Sequence, residues 1–215
     1  MGIIERKEKE HLVRKNSMIN AAEMIFFKKG FENSTMDDIA KEAEFTKKTL
    51  YSYFKNKEEL YFEIMLVGFK ALNALYDKAI SENMEMSEIE KIKKLSQVFV
   101  EFSRIHPGYF KAISDYENKD FDFEVDGSNQ LINECYLAGE YSFKLLNNFI
   151  TSGIEKGEIV TNTDPVTVCL ILWSTMLGFI GLISKKEKYI NSYYNKGVEE
   201  LMENGFDLLL RSIKK

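Results

Sequence analysis

Prolines, cysteines and histidines number two each in this 215-residue chain, and there is one tryptophan. Each scarcity excludes something. With only Pro107 and Pro165 to break them, long runs with apolar residues every three or four positions predict an all-α chain. Cys135 and Cys169 are too few for a disulfide framework and lack metal-type spacing, so neither a stapled secreted domain nor a zinc module is expected. His11 and His106 lie far apart, and no Ser/His/Asp set, glycine-rich phosphate loop or zinc pattern appears. No catalytic residue, metal or cofactor is therefore expected, and the chain does not read as an enzyme. The first ten residues, MGIIERKEKE, contain no apolar signal region, so a reducing cytoplasm is the expected compartment. Internal repeats and low-complexity tracts are also missing.

Positive charge is in short supply, and a net charge of −5 argues against general coating of nucleic acid. The deficit is uneven: residues 1–60 sum to +1 and the remainder to −6. Four lysines (Lys47, Lys48, Lys55 and Lys57) stand between Phe45 and Lys57 with no acid among them. Conversely, the twenty residues PVTVCLILWSTMLGFIGLIS from Pro165 carry no charge at all. About 18 such residues is the lower limit for crossing a bilayer. Thr167, Ser174, Thr175, Gly178 and Gly181 interrupt the run, and no aromatic belt flanks it. It reads as a helix hidden in a core or an interface, with no membrane as partner.

Periodicity and capping signals place the elements. A first helix is predicted from about Lys9 to Lys29, closed by Gly30. Thr35 and Asp38 form a capping signature for a second, with Met36, Ile39, Ala40 and Ala43 as its buried stripe. Thr46 caps a short third helix whose inward residues are Leu50 and Phe54. A fourth is capped at Asn56 and runs to about Ile80. Two short helices joined by a tight turn, with a helix on either side, are the outline of a helix-turn-helix. Beyond these lie a helix begun by Ser87 and ended by Pro107, one over about 128–155, one opened by Asp164-Pro165, and a last from Tyr193 to Ile213. The expected organisation is a three-helix head over 1–56 and a larger helical body over 57–215.

With Leu50 and Phe54 inward, the third helix presents Lys47, Lys48, Tyr51 and Ser52, with Thr46 at its N-terminus. Such a face suits duplex DNA: cations and amides attract phosphates, hydroxyls give directed bonds, and a helix fits the major groove. Lys57 adds a second phosphate anchor. Lysines on a short helix are ordinarily only solvated surface; here the two caps, the tight turn and the acid-free cluster together favour DNA.

Residues 18–64 resemble the DNA-binding head of the tetracycline-repressor (TetR) family of bacterial transcriptional regulators. The likeness is carried by Ala21-Ala22, Phe26/Phe27, Gly30-Phe31, Thr35, Ile39-Ala40, Ala43, Thr46, Thr49-Leu50-Tyr51, Tyr53-Phe54, Lys57-Glu58 and Leu60. It implies that Thr46, Lys47, Lys48, Thr49, Tyr51, Tyr53 and Lys57 touch operator DNA, and that Thr35 caps the second helix toward a phosphate. Glu44 and Lys48 stand where the family often has glycine. If the turn at Glu44 requires φ > 0, a side chain there costs about 1 kcal/mol.

Two heads on a two-fold axis would read half-sites one helical turn apart, so a homodimer is expected, through the helices near 165–184 and 193–213. The resemblance implies a four-helix interface from those two helices. Aromatics along the body are first of all core, but collectively they suit an apolar pocket, which the resemblance also implies. Phe99, Phe102, Phe110, Tyr141, Trp173 and Met176 are its expected lining, for a small apolar or aromatic effector that releases DNA. A rival reading makes the chain a helical small-molecule-binding or scaffold protein whose head holds a protein partner. The stretch Asp122-x-Glu124-x-Asp126-Gly127 has calcium-loop spacing, but Asn133 replaces the closing Glu, so a solvated acidic loop is expected.

Overall fold

The computed structural model of the chain describes residues 2–82, 85–117 and 130–215. The acidic stretch at 122–127, and with it the alternation of Phe121, Phe123 and Val125 that reads as a brief extended piece, lies outside the described residues. Nine helices are found among them: α1 (Ile3–Lys29), α2 (Met36–Glu42), α3 (Lys47–Tyr51), α4 (Lys57–Ser81), α5 (Glu88–Ile105), α6 (Pro107–Glu117), α7 (Gln130–Glu155), α8 (Pro165–Tyr194) and α9 (Val198–Arg211). They divide into two compact units. The first holds the chain up to Gly68 and the start of α7 to Cys135; the second holds the rest of α4 and α7 with the other body helices.

In the first unit α1 packs on α2 and α2 on α3. The chain leaves α1 at Gly30, whose φ of +80° suits a residue without a β-carbon. Met18, Ala22, Phe26, Ile39, Leu50 and Phe54 form the core of the unit, each almost wholly removed from water. Phe26, Phe31 and Tyr61 add an aromatic cluster with ring centroids 4.7–5.8 Å apart. The Cys135 thiol is buried here and donates to the Phe62 carbonyl at 3.1 Å.

In the second unit α5 packs on α6, α8 and α9, and α8 packs on α9. One apolar cluster joins Ile89 and Ile92 of α5, Ile150 of α7, Val168 and Leu172 of α8, and Leu210 of α9. Ser87 caps α5 reciprocally with Glu90, and Asp164 caps α8 ahead of Pro165, as the sequence predicts. At the foot of α5 the buried Glu88 carboxylate accepts from Lys91 and Lys156 at 3.1 and 2.6 Å. Polar side chains also stitch α4 to α7: Asn73 donates to the Ala138 carbonyl and accepts from the Ser142 hydroxyl, both at 2.8 Å.

Three boundaries differ from those read off the sequence. α1 starts at Ile3, about two turns before Lys9. Pro107 ends α5 as expected but also opens α6, because a proline at the first helical position gives up an amide that would have no partner there. α8 continues past its uncharged run to Tyr194 and stops at Asn195, which takes the left-handed conformation (φ +50°). Tyr193 and Tyr194 therefore belong to α8, and α9 begins at Val198.

Candidate functional site

The first unit builds a helix-turn-helix from local hydrogen bonds. The Thr35 hydroxyl accepts from the Asp38 amide at 3.1 Å while the Asp38 carboxylate accepts from the Thr35 amide at 3.1 Å. Lys29 adds an ion pair to Asp38 at 2.8 Å; that bond, followed by the bonds from Thr35, holds the Asp38 carboxyl below its usual pKa. The turn between α2 and α3 passes through Glu44 at φ +59°, the geometry for which glycine would be the ordinary choice. Thr46 then caps α3 by accepting from the Thr49 amide at 3.1 Å, and the two threonine hydroxyls bond each other at 2.8 Å.

These caps aim one face of α3 outward. Thr46, Lys47, Lys48 and Tyr51 are exposed, Thr49 and Tyr53 are half-buried, and Leu50 and Phe54 are buried beneath them. The cations on this face are not equivalent. Lys47 forms an ion pair with Asp37 of α2 at 2.8 Å, whose hydrogen bond holds the Lys47 ammonium above its usual pKa. Lys48 has no ion pair among the described residues. Lys57 points inward: its ammonium donates to the carbonyls of Phe31 and Ser34 and sits 4.2 Å over the Phe31 ring.

One residue on this surface escaped the sequence reading. The His11 ring of α1 stacks on Tyr53, centroids 4.4 Å apart and planes 18° from parallel. No local signal marks it, since the two residues are 42 positions apart and meet only through the packing of α1.

The second unit encloses an apolar cavity of about 50 Å³. Its wall draws on α4 (Phe69, Leu72, Tyr76), α5 (Ile92, Ser96, Phe99), α7 (Gly139, Ser142, Phe143), α8 (Leu172, Trp173, Met176) and α9 (Phe206, Leu209). Among the residues expected to line a pocket, Phe99, Trp173 and Met176 come together here. Phe110 stands behind the wall, packed edge-on against Phe99 at 5.4 Å. Phe102 is buried without reaching the space, and Tyr141 is 39% exposed, its hydroxyl bound to Asp77. The α4 residues were not anticipated, because buried positions fall on several sides of α4, among half-buried and exposed ones, and show no single aromatic stripe.

The same unit leaves an apolar face in water. Val166, Leu170, Ile171 and Leu182 of α8 and Leu208 of α9 are exposed, and a β-carbon at Gly178 or Gly181 would meet nothing within 4 Å. By length and composition alone α8 could cross a membrane, yet Val168, Cys169, Leu172, Met176, Ile180 and Ile183 form a buried stripe along it. The Cys169 thiol, pushed up to about 12 by burial with the Glu140 carboxylate adding to it, is protonated at neutral pH. No metal-binding group of His, Cys, Asp or Glu occurs among the described residues.

Residues 18–64 match the family model described as bacterial regulatory proteins, tetR family. An HTH-type transcriptional regulator of Bacillus subtilis, YhgD, is 33% identical over 93 residues, 43% of this chain and 48% of that protein. The fatty acid metabolism regulator protein of Bacillus subtilis is 26% identical over 190 residues, 87% of this chain and 93% of that protein. Among solved structures, the transcriptional regulator FadR from Bacillus subtilis in complex with stearoyl-CoA superposes with a TM-score of 0.67 at 17% identity, covering 90% of this chain and 96% of that one. The helix-turn-helix of the first unit is therefore that of the tetR family of bacterial regulatory proteins.

Proposed function

We propose that the chain is a homodimeric repressor that holds double-stranded operator DNA through α3 and releases it when an apolar effector enters the body. The observation that carries this reading is the capped, outward-facing α3. Thr46, Lys48 and Tyr51 form an exposed cationic and hydroxylic face on a helix fixed from beneath by Leu50 and Phe54. Thr35, Lys47, Thr49 and Tyr53 complete the DNA-facing set, with Lys57 acting on it through the turn it braces. The head is taken as 1–56 and the ligand-binding and dimerisation body as 57–215.

The effector class follows from the cavity and from the relatives. An apolar wall, a full-length relative named for fatty acid metabolism and a fold neighbour holding stearoyl-CoA support a long-chain acyl compound. Ligand pockets for drug-sized molecules occupy about 300–1,000 Å³, so the 50 Å³ cavity is a closed form that must open around such a chain. The helix that begins at Lys57 also carries Phe69, Leu72 and Tyr76 of the cavity wall. Parting that wall shifts α4 and with it the head, a population shift bounded by the effector's differential affinity for the two forms.

Mobility-shift assays on the chain's own upstream region, over a salt series and with stearoyl-CoA added, test this. The expected result is a retarded complex that weakens steeply with salt and dissociates on adding the acyl compound. Salt-insensitive or absent binding sinks the proposal.

A further inference from the structure

The cavity wall contains one buried polar side chain that the fold leaves unused; the Trp173 indole N–H also lacks a partner among the described residues, but that side chain is only half-buried. Ser96 and Ser142 also line the space, but their hydroxyls are committed, to the Ile92 carbonyl at 3.1 Å and to Asn73 at 2.8 Å. Tyr76 is 7% exposed, lines the same wall and makes no hydrogen bond among the described residues. Burial pushes its phenol far above the ordinary value, so it is a neutral donor at any physiological pH. The hydroxyl of this buried side chain has no protein partner, and a ligand acceptor placed against it supplies a hydrogen bond that the fold does not.

The surroundings determine what that atom can be. No charged side chain occurs among the described lining residues. A carboxylate placed there would lose its water with no counter-charge in return, whereas a ketone, ester or thioester oxygen accepts one hydrogen bond and needs no ion. We infer that Tyr76 donates to the neutral carbonyl oxygen of an otherwise apolar effector, so that the cavity selects ketones, esters and thioesters over free carboxylates. The inference rests on the cavity being the effector site.

Trp173 lines the cavity and is the sole tryptophan, which gives a direct readout. Octan-2-one, octanoate and toluene are titrated at neutral pH into the full-length chain and its Tyr76→Phe variant, following Trp173 fluorescence. Octan-2-one is expected to bind the parent at least tenfold more tightly than octanoate, and to lose about fivefold in the variant, the size of one net hydrogen bond. Toluene affinity should be unchanged by the substitution. Because the phenol has no internal partner, the variant's melting temperature should equal or exceed the parent's.

Octanoate binding as tight as octan-2-one, equal losses for toluene and octan-2-one, or a lower melting temperature in the variant would overturn the Tyr76 assignment while leaving the cavity a binding site. A Trp173 signal that responds to none of the three overturns the cavity reading, and the assignment with it. Neither result bears on operator binding by α3, which the mobility-shift assay measures separately.

Discussion

The Lys57 ammonium donates to the Phe31 carbonyl at 2.8 Å across 26 residues of sequence, and to the Ser34 carbonyl at 3.1 Å. By position Lys57 reads as a phosphate anchor; in the fold it ties the first turn of α4 to the loop that enters α2. Charged hydrogen bonds of this kind are worth about 1.5–3 kcal/mol when one partner is removed. Lys57→Met, which keeps the stem, is expected to lower the head's stability by about 2 kcal/mol in urea denaturation. Unchanged stability together with weakened DNA binding would return Lys57 to the role of a simple phosphate contact.

Glu44 at φ +59° holds the turn that aims α3, in a conformation costing a side-chain-bearing residue about 1–2 kcal/mol. Glycine relieves that strain but has more freedom to lose on folding, about 0.5–1 kcal/mol. Glu44→Gly should therefore stabilise the chain by up to about 1 kcal/mol, and removing an exposed acid beside the DNA-facing surface should tighten operator binding at low salt. A fall in melting temperature would mean that the Glu44 side chain contributes something its backbone strain conceals.

Lys47 and Lys48 are adjacent, yet only Lys47 is paired, with Asp37 at 2.8 Å. If Lys48 meets a phosphate, Lys48→Ala should reduce the slope of log affinity against log salt by about 0.9 for each head, about 1.8 for the dimer. Asp37→Asn, which frees Lys47, should tighten binding a few-fold, most at low salt. Opposite signs for these two variants are what the geometry requires, and a shared sign contradicts it.

The head was legible in the sequence because its signals are local. Thr35 with Asp38, and Thr46 with Thr49, are caps whose partners lie three residues apart, and even the unusual backbone at Glu44 follows from the tightness of one turn. The body was legible only as a set of helices. Which side chains surround the cavity depends on how five helices are rotated against one another, so Phe99, Trp173 and Met176 meet there while Phe102 and Tyr141 do not. The inward role of Lys57, the His11–Tyr53 stack and the unpartnered Tyr76 arise from contacts across 23 residues or more, or from the absence of one; no spacing rule reaches either.

Burial pushes the Glu117 carboxyl up to about 7, and the Glu140 carboxylate adds to the shift. Unfolded, the group would titrate near 4.3. Between those values the folded chain holds a proton that the unfolded chain has released, so this group's contribution to stability falls as pH rises through the window. Glu117→Gln removes the dependence. The variant should match the parent near pH 4.5 and exceed it at pH 8 by about 2 kcal/mol, read from urea denaturation at each pH. A difference that shrinks as pH rises would mean that Glu117 is ionised and paired in the folded state.

Ile171 and Leu182 of α8 are 54% and 59% exposed, on the face where Gly178 and Gly181 have nothing above them. An apolar strip of that kind needs a cover, and a second copy of the same strip about a two-fold axis provides one without new sequence. Leu182→Asp is expected to leave the circular dichroism of the chain unchanged, since the side chain touches water in the single copy, while light scattering reports a monomer. The buried charge pair that a dimer of this variant would create is what drives it apart. Operator affinity should then fall at least tenfold, because each head alone engages half of the phosphates and one half-site. A variant that stays dimeric at micromolar concentration would place the seam elsewhere and leave the strip on α8 to another partner.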